Sequence, residues 1–296
     1  MSEIALLCGV DNPVFQAGLG GIAGPKLAAA VSEAGGLGHL GCIRQSASEV
    51  RNWIRETRAL TDKPFGINLV PKGGGPDGFE AQLTVALEEK PKAISLFWDD
   101  FSTVIPRCKE AGIVTMVQVG SLQEAKKAAV DGADIIIAQG IEAGGHVRGT
   151  IGLSVLLPAI VKAVGTIPVL AAGGISSSDA VGAALGSGAA GAWVGTSFVA
   201  AEESLAHPIY KRRLIEATTD DTKYERFYSF GWPVGTPYRI IEPKSKTAMG
   251  LVAGGARYFD SDQKAEALKL YAGQGVGEIT ETLPAFEILK KLNNVN

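Results

Sequence analysis

The sequence predicts an α/β chain folded as a (β/α)8 TIM barrel, and three observations carry that prediction. The first is an internal repeat in which an Ala-rich amphipathic segment stops at Gly and a short apolar run follows. It recurs as Ala34-Gly35-Gly36 before 37–41, Ala111-Gly112 before 114–119, Gly132-Ala133 before 135–139, and Gly188-Ala189 before 192–195. Gly just past a helix is the usual left-handed stop, and a run of four to six apolar residues is what a strand buried on both faces of a parallel sheet requires. The second is arithmetic: runs at 14–16, 37–41, 65–69, 93–97, 114–119, 135–139, 169–172 and 192–195 make eight strands. The third is size, since 296 residues with 46% hydrophobic content suit one barrel with an addition.

The helices are justified in the same order. Pro25 opens 25–33, Ser46 or Ser48 caps 48–59, and segments 78–89, 101–110, 122–130, 153–164 and 178–185 follow their strands. After Phe198 the alternation stops. Residues 202–275 are more charged, with Lys211-Arg212-Arg213, Asp220-Asp221 and the aromatics Tyr224, Phe227, Tyr228, Phe230, Trp232 and Tyr238. The period returns at 283–292, where Pro284 opens a closing helix. The sequence therefore predicts a barrel over 1–201 and 276–296, with a mostly helical insertion between the last strand and last helix over 202–275. The alternative is a separate C-terminal helical domain. Either arrangement sets aromatics beside the barrel mouth.

Composition excludes several classes. The 38 Gly are nearly twice the usual ~7%, but 14 Pro and no G-X-Y period exclude collagen and low-complexity linkers. A balance of 28 basic against 31 acidic residues leaves no basic footprint for nucleic acid. Cys8, Cys42 and Cys108 have no CxxC spacing, which fits a reducing, cytoplasmic compartment rather than a disulfide framework or zinc site. Glu3 before a short apolar run argues against a secretory signal. The uncharged stretch 180–201 is long enough for a membrane span, but its five glycines favour helix, turn and buried strand in series. No membrane association is expected.

Barrel chemistry stands on the loops after the strands. No strand end carries the Lys of a Schiff-base aldolase, and three His with few nearby carboxylates support no metal site. Amides and bare backbone dominate instead: Gln16, Asn68, Gln118 and Gln139, interleaved with Gly18, Gly41, Gly120, Gly140, Gly173, Gly174 and Gly195. Amides both donate and accept, which suits the edge of a planar heterocycle such as a flavin. The alternative for each is satisfaction of buried backbone. The Gly-rich segments after 169–172 and 192–195, with Ser176, Ser177, Ser178 and Thr196, suit a phosphate, because backbone N–H groups and a helix N-terminus meet the anion. Tight strand–helix packing is the alternative. His146 stands in a Gly-flanked loop after 135–139 and is a candidate general base. His39 lies inside a strand and reads as an interior residue, and His207 as structural or solvated.

Five segments carry a resemblance: 13–24 (PVFQAGLGGIAG), 30–38 (AVSEAGGLG), 139–146 (QGIEAGGH), 171–175 (AAGGI) and 195–198 (GTSF), joined by 271–277 (YAGQGVG). Together they resemble the nitronate monooxygenase family, formerly 2-nitropropane dioxygenases. The resemblance implies an FMN-binding barrel that oxidises alkyl nitronates, and nitroalkanes after loss of their α-proton, with O2 to carbonyl compounds and nitrite. It implies that His146 is catalytic, with the FMN phosphate at Gly173-Gly174 and Gly195-Thr196. Asn68 and Gln118 are then at the isoalloxazine, and Gln16, Ala17, Gly18, Gln139, Gly144 and Gly145 complete the cofactor-binding set. A small-molecule substrate and a homodimer fit the same implication. Two departures stand out: His146-Val147-Arg148-Gly149 is one residue longer than the commoner His-Arg-Gly ending, and Ser197 replaces a frequent Arg. The glutamate-to-histidine motif also resembles FMN-dependent enoyl-acyl carrier protein reductases. An NAD(P)H:quinone reductase and a non-redox sugar-phosphate-binding barrel are further alternatives.

Overall fold

A computed structural model describes residues 3–73, 75–227, 232–243 and 261–294. The strands are β1 (Val14–Gln16), β2 (Gly38–Gly41), β3 (Phe65–Leu69), β4 (Ala93–Phe97), β5 (Val114–Val119), β6 (Ile135–Gln139), β7 (Gly145–His146), β8 (Val169–Ala172), β9 (Gly191–Val194), β10 (Thr222–Glu225), β11 (Tyr238–Ile241) and β12 (Leu270–Tyr271). The helices are α1 (Glu3–Cys8), α2 (Pro25–Glu33), α3 (Ala47–Leu60), α4 (Gly78–Glu89), α5 (Val104–Glu110), α6 (Leu122–Asp131), α7 (Leu153–Val164), α8 (Ser178–Gly186), α9 (Thr196–Val199), α10 (Pro208–Ile215), α11 (Asp262–Ala267) and α12 (Ala285–Asn293).

Eight parallel strands run β1-β9-β8-β6-β5-β4-β3-β2, and the two ends meet at the bridge between Phe15 and Leu37. This is a (β/α)8 barrel. Period-two alternation divides each strand between two apolar layers. Phe15, Met116, Ile135, Ile137 and Trp193 fill the interior, while Val14, Val117, Ile136 and Val194 pack outward against the helices. Ile4 and Cys8 of α1 join the interior layer, so the N-terminal helix packs with the barrel's inner core. In sequence, residues 3–8 carry no signal that assigns them to the barrel.

Helix boundaries follow their chemistry. Ser46, not Ser48, caps α3: its side chain accepts from the Glu49 N–H while Glu49 returns a bond to the Ser46 backbone. Ser121 and Ser177 cap α6 and α8 alone. Pro284 is the N-cap of α12, which packs against α2 and α8.

The chain between β9 and α12 contains the expected helices and, in addition, a small sheet. Strands β10, β11 and β12 pair antiparallel, and β11 also pairs with β7, setting Tyr238 opposite His146. Strands of two to four residues are too short to leave a periodic signal. Arg213 is buried and donates to the carbonyls of Ala265, Leu268 and Glu242, which ties α10 to α11 and to the end of β11. Tyr228 and Phe230 of the aromatic cluster lie outside the described residues.

Candidate active site

Strand parity decides which predicted residues meet. Asn68, Gln118 and Gln139 share the inward parity of Gly66, Met116 and Ile137, and all three line one cavity at the C-terminal end of the barrel. Ala17, Gly18, Gly144, Gly145, His146, Gly173, Gly174, Gly195 and Thr196 line it as well. The space amounts to ≈ 1450 Å³ including its open mouth. Gln16 is the exception. It shares the outward parity of Val14, is fully buried, and its Oε1 accepts from the His39 N–H at 2.9 Å across the seam where β1 and β2 close the barrel. Gln16 therefore satisfies backbone at the barrel closure and does not reach the cavity.

The amides differ in how free they are. Asn68 Nδ2 donates to Ser95 Oγ at 3.0 Å, which aims the amide. The Gln118 side chain has no hydrogen bond among the described residues and leaves donor and acceptor open to the cavity. Gln139 is committed to the His146 loop: Nε2 donates to the His146 carbonyl and Oε1 accepts from the Arg148 N–H, both at 2.9 Å.

Three further anchors hold that loop. The Glu142 carboxylate accepts from the Leu153 N–H at 3.0 Å through both oxygens, and so caps α7, whose own N-cap is Gly152. Arg239 donates to the Ile141 carbonyl at 3.0 and 3.1 Å, and β11 pairs with β7. His146 is thus fixed from the barrel, from α7 and from the segment beyond β9. Its ring stacks on Trp232 with centroids 3.8 Å apart and planes 22° apart. Nε2 is shielded from solvent and has no hydrogen-bond partner among the described residues. Burial, and secondarily the charge of Arg44, pushes its pKa down to about 3, so the imidazole is neutral across the physiological range. Arg44 adopts a left-handed φ of 62° in the loop after β2 and lines the same cavity.

Much of the cavity lining is bare backbone. The loops at Gly144, Gly174–Ser176 and Gly273–Gly275 touch directly: a Cβ on Gly144 would stand 2.4 Å from the Gly273 nitrogen, and one on Gly275 2.4 Å from the Gly174 oxygen. Thr196 Oγ1 accepts from the Gly273 N–H at 3.0 Å. Gly174, at φ +70°, occupies a conformation that L side chains rarely adopt. A Cβ on Gly18 would stand 2.0 Å from that of Asn68. This donor set, an amide-lined apolar slot ending in a backbone cradle with a serine and a threonine hydroxyl, fits a flavin mononucleotide. Described residues contain no group of three or more His, Cys, Asp or Glu able to hold a metal, and no helix among them is long and apolar enough to cross a membrane.

Sequence reasoning missed Arg44, Tyr210 and Tyr271 at the cavity, and Gly273 and Gly275 beneath it. The Gly-x-Gly-x-Gly spacing of 273–277 was the available signal for the last two. The other two histidines are structural. His39 is fully buried inside the barrel against the edge of Trp193, and His207 caps α10 by accepting from the Ile209 N–H at 3.2 Å.

The profile of the nitronate monooxygenase family matches residues 2–79 and 70–294. The chain belongs to the nitronate monooxygenase family. Its fold is a (β/α)8 barrel. A nitronate monooxygenase from Pseudomonas aeruginosa is 31% identical over 97% of this chain and 96% of its own. A Rhodococcus jostii protein named (3aS,4S,5R,7aS)-5-hydroxy-7a-methyl-1-oxo-octahydro-1H-indene-4-carboxyl-CoA dehydrogenase is 36% identical over 79% of this chain, and the match spans 64% of that relative's length. Among solved structures, FabK from Thermotoga maritima superposes with a TM-score of 0.84 at 30% identity, over 99% of this chain and 94% of that one.

Proposed function

We propose that the protein binds FMN and oxidises alkyl nitronates with O2 to carbonyl compounds and nitrite. The observation that carries the proposal is His146: a neutral imidazole lining an aromatic-walled cavity that Arg44 also lines, anchored from three directions, with an unpartnered Nε2 buried beside Trp232. In this reading the cofactor phosphate lies against Gly174–Ser176, Gly195 and Thr196, while Asn68 and Gln118 face the heterocycle. Bound FMN supplies the electron acceptor and O2 the terminal oxidant.

The chain's own residues then do three things. Arg44 attracts the anionic nitronate and offsets its negative charge beside a ring that is itself uncharged. Trp232, stacked on His146, excludes water from Nε2 and fixes the ring plane. For a neutral nitroalkane, His146 Nε2 takes the α-proton. A depressed pKa makes this the harder task, so the preformed nitronate is the better substrate.

The enoyl-thioester alternative asks for a basic surface toward an acidic carrier. Lys211, Arg212 and Arg213 do not offer one: Lys211 Nζ donates to the Ala201 carbonyl at 2.6 Å, Arg212 pairs with Glu266, and Arg213 is buried on backbone carbonyls. The test is anaerobic mixing of the FMN-loaded protein with propyl nitronate and, separately, with NADH or NADPH while flavin absorbance is followed. Bleaching by nitronate alone, with nitrite formed on admitting O2, is expected. Bleaching by NAD(P)H with turnover of an enoyl thioester or a quinone would move the assignment to a reductase.

A further inference from the structure

A second cavity of ≈ 820 Å³, including its mouth, lies beside the first, between β5, α6 and the chain at Trp98–Ile105. Its wall is apolar, from Trp98, Phe101, Ile105, Val117, Val119 and Ala128. The charges at its rim are largely spent on one another: Lys127 pairs with Asp100 and Asp131, and Arg148 with Glu124. With Asp99 and Lys72 added, the lining carries four acids and three bases. Such a rim disfavours the phosphate of a carrier-bound thioester and accepts an uncharged chain.

Two residues link this space to the site. Gln118 borders both cavities. Trp98 borders the second, and its ring meets Trp232 edge-on at 5.3 Å and His146 at 6.3 Å. The Arg148 guanidinium lies 4.9 Å from the Trp98 centroid. Trp98 holds this position at φ +76°, a left-handed conformation that is an outlier for a bulky residue. Strain of that kind persists where surrounding contacts impose it and clusters at functional sites.

We propose that Trp98 is a specificity-determining partition, which confines the substrate beside His146 to short alkyl groups and separates it from a subsite that fits an uncharged linear alkyl chain. The inference rests on the nitronate reading for its substrate class. Removing the ring joins the two cavities, and each methylene that then leaves water is worth about fourfold in affinity.

The test uses Trp98→Gly, because glycine accepts the φ that the position requires. For the FMN-loaded protein, kcat and KM are measured on ethyl, butyl, hexyl and octyl nitronate, and binding of unreactive ethanol and 1-octanol is measured by calorimetry. The octyl-to-ethyl ratio of kcat/KM is expected to rise at least tenfold in Trp98→Gly, chiefly through KM, with a parallel gain for 1-octanol. Adding Ala128→Leu, which fills the second cavity, is expected to reverse both gains. An unchanged ratio, or gains indifferent to Ala128→Leu, would overturn the partition. If the parent oxidises no nitronate while 1-octanol binding still follows the two substitutions, the cavity inference stands and the nitronate reading fails.

Discussion

His39 makes acid lability of the fold a quantitative prediction. It is fully buried, its Nε2 has no hydrogen-bond partner among the described residues, and its ring stands 4.6 Å from that of Trp193. Burial pushes its pKa from 6.5 down to about 3, against weaker backbone bonds at Leu37 and Gln16 that act the other way. Above the unfolded value of about 6.5 both states are neutral and the stability is complete. As pH falls below it, only the unfolded chain takes up the proton, and the loss continues until the native histidine protonates near pH 3. At pH 5 the unfolded state gains a factor of about thirty, or about 2 kcal/mol. His146, depressed to about 3 by the same dominant cause, adds a similar amount. The assay is urea unfolding of parent and His39→Leu at pH 7 and pH 5, both saturated with FMN so that cofactor linkage cancels in the comparison. Leucine keeps the interior filled and removes an unpaired nitrogen, so the variant should lose about 2 kcal/mol less than the parent between the two pH values. Equal losses would refute the claim that His39 is held neutral by burial.

Three further outcomes are expected. Gly174→Val places a branched side chain at φ +70° with its Cβ 3.2 Å from that of Glu142, and should weaken FMN binding at least tenfold in a fluorescence titration; undiminished affinity would show that the phosphate lies elsewhere. Gln16→Leu leaves the His39 N–H unsatisfied at the barrel seam and should cost about 1–3 kcal/mol in denaturant unfolding with FMN affinity unchanged, whereas weakened FMN binding in a stably folded variant would return Gln16 to the site. Glu142→Ala uncaps α7 and should cost about 1 kcal/mol, with activity falling further than stability because the same carboxylate anchors the His146 loop; unfolding and turnover measured together check it.

Much of the barrel was legible because its signals are local. Gly35, Gly112, Gly132 and Gly188 have positive φ after their helices, as the stop pattern requires, and the apolar runs at 65–69, 93–97, 114–119, 135–139 and 169–172 match their strands residue for residue. What failed was non-local. Gln16 looks the same as Gln139 in sequence, since both end apolar runs, and only the inward or outward parity within the sheet tells them apart. Trp232 was visible as an aromatic, but its stacking on His146 depends on a long excursion of the chain back over the mouth. The β7–β11 pairing joins residues 92 and 94 apart in chain order. Trp98 leaves no sequence signature because a left-handed tryptophan is imposed by its surroundings.

The central claim is that His146 acts as a proton acceptor within an FMN-binding cavity. The most direct measurement compares parent and His146→Ala, both shown to retain FMN, on nitroethane and on ethyl nitronate under the same conditions. The account predicts a loss of about 10²–10⁴-fold on the neutral nitroalkane and a much smaller loss on the nitronate, whose proton is already gone. Equal losses on the two substrates, or no loss on nitroethane, would contradict it.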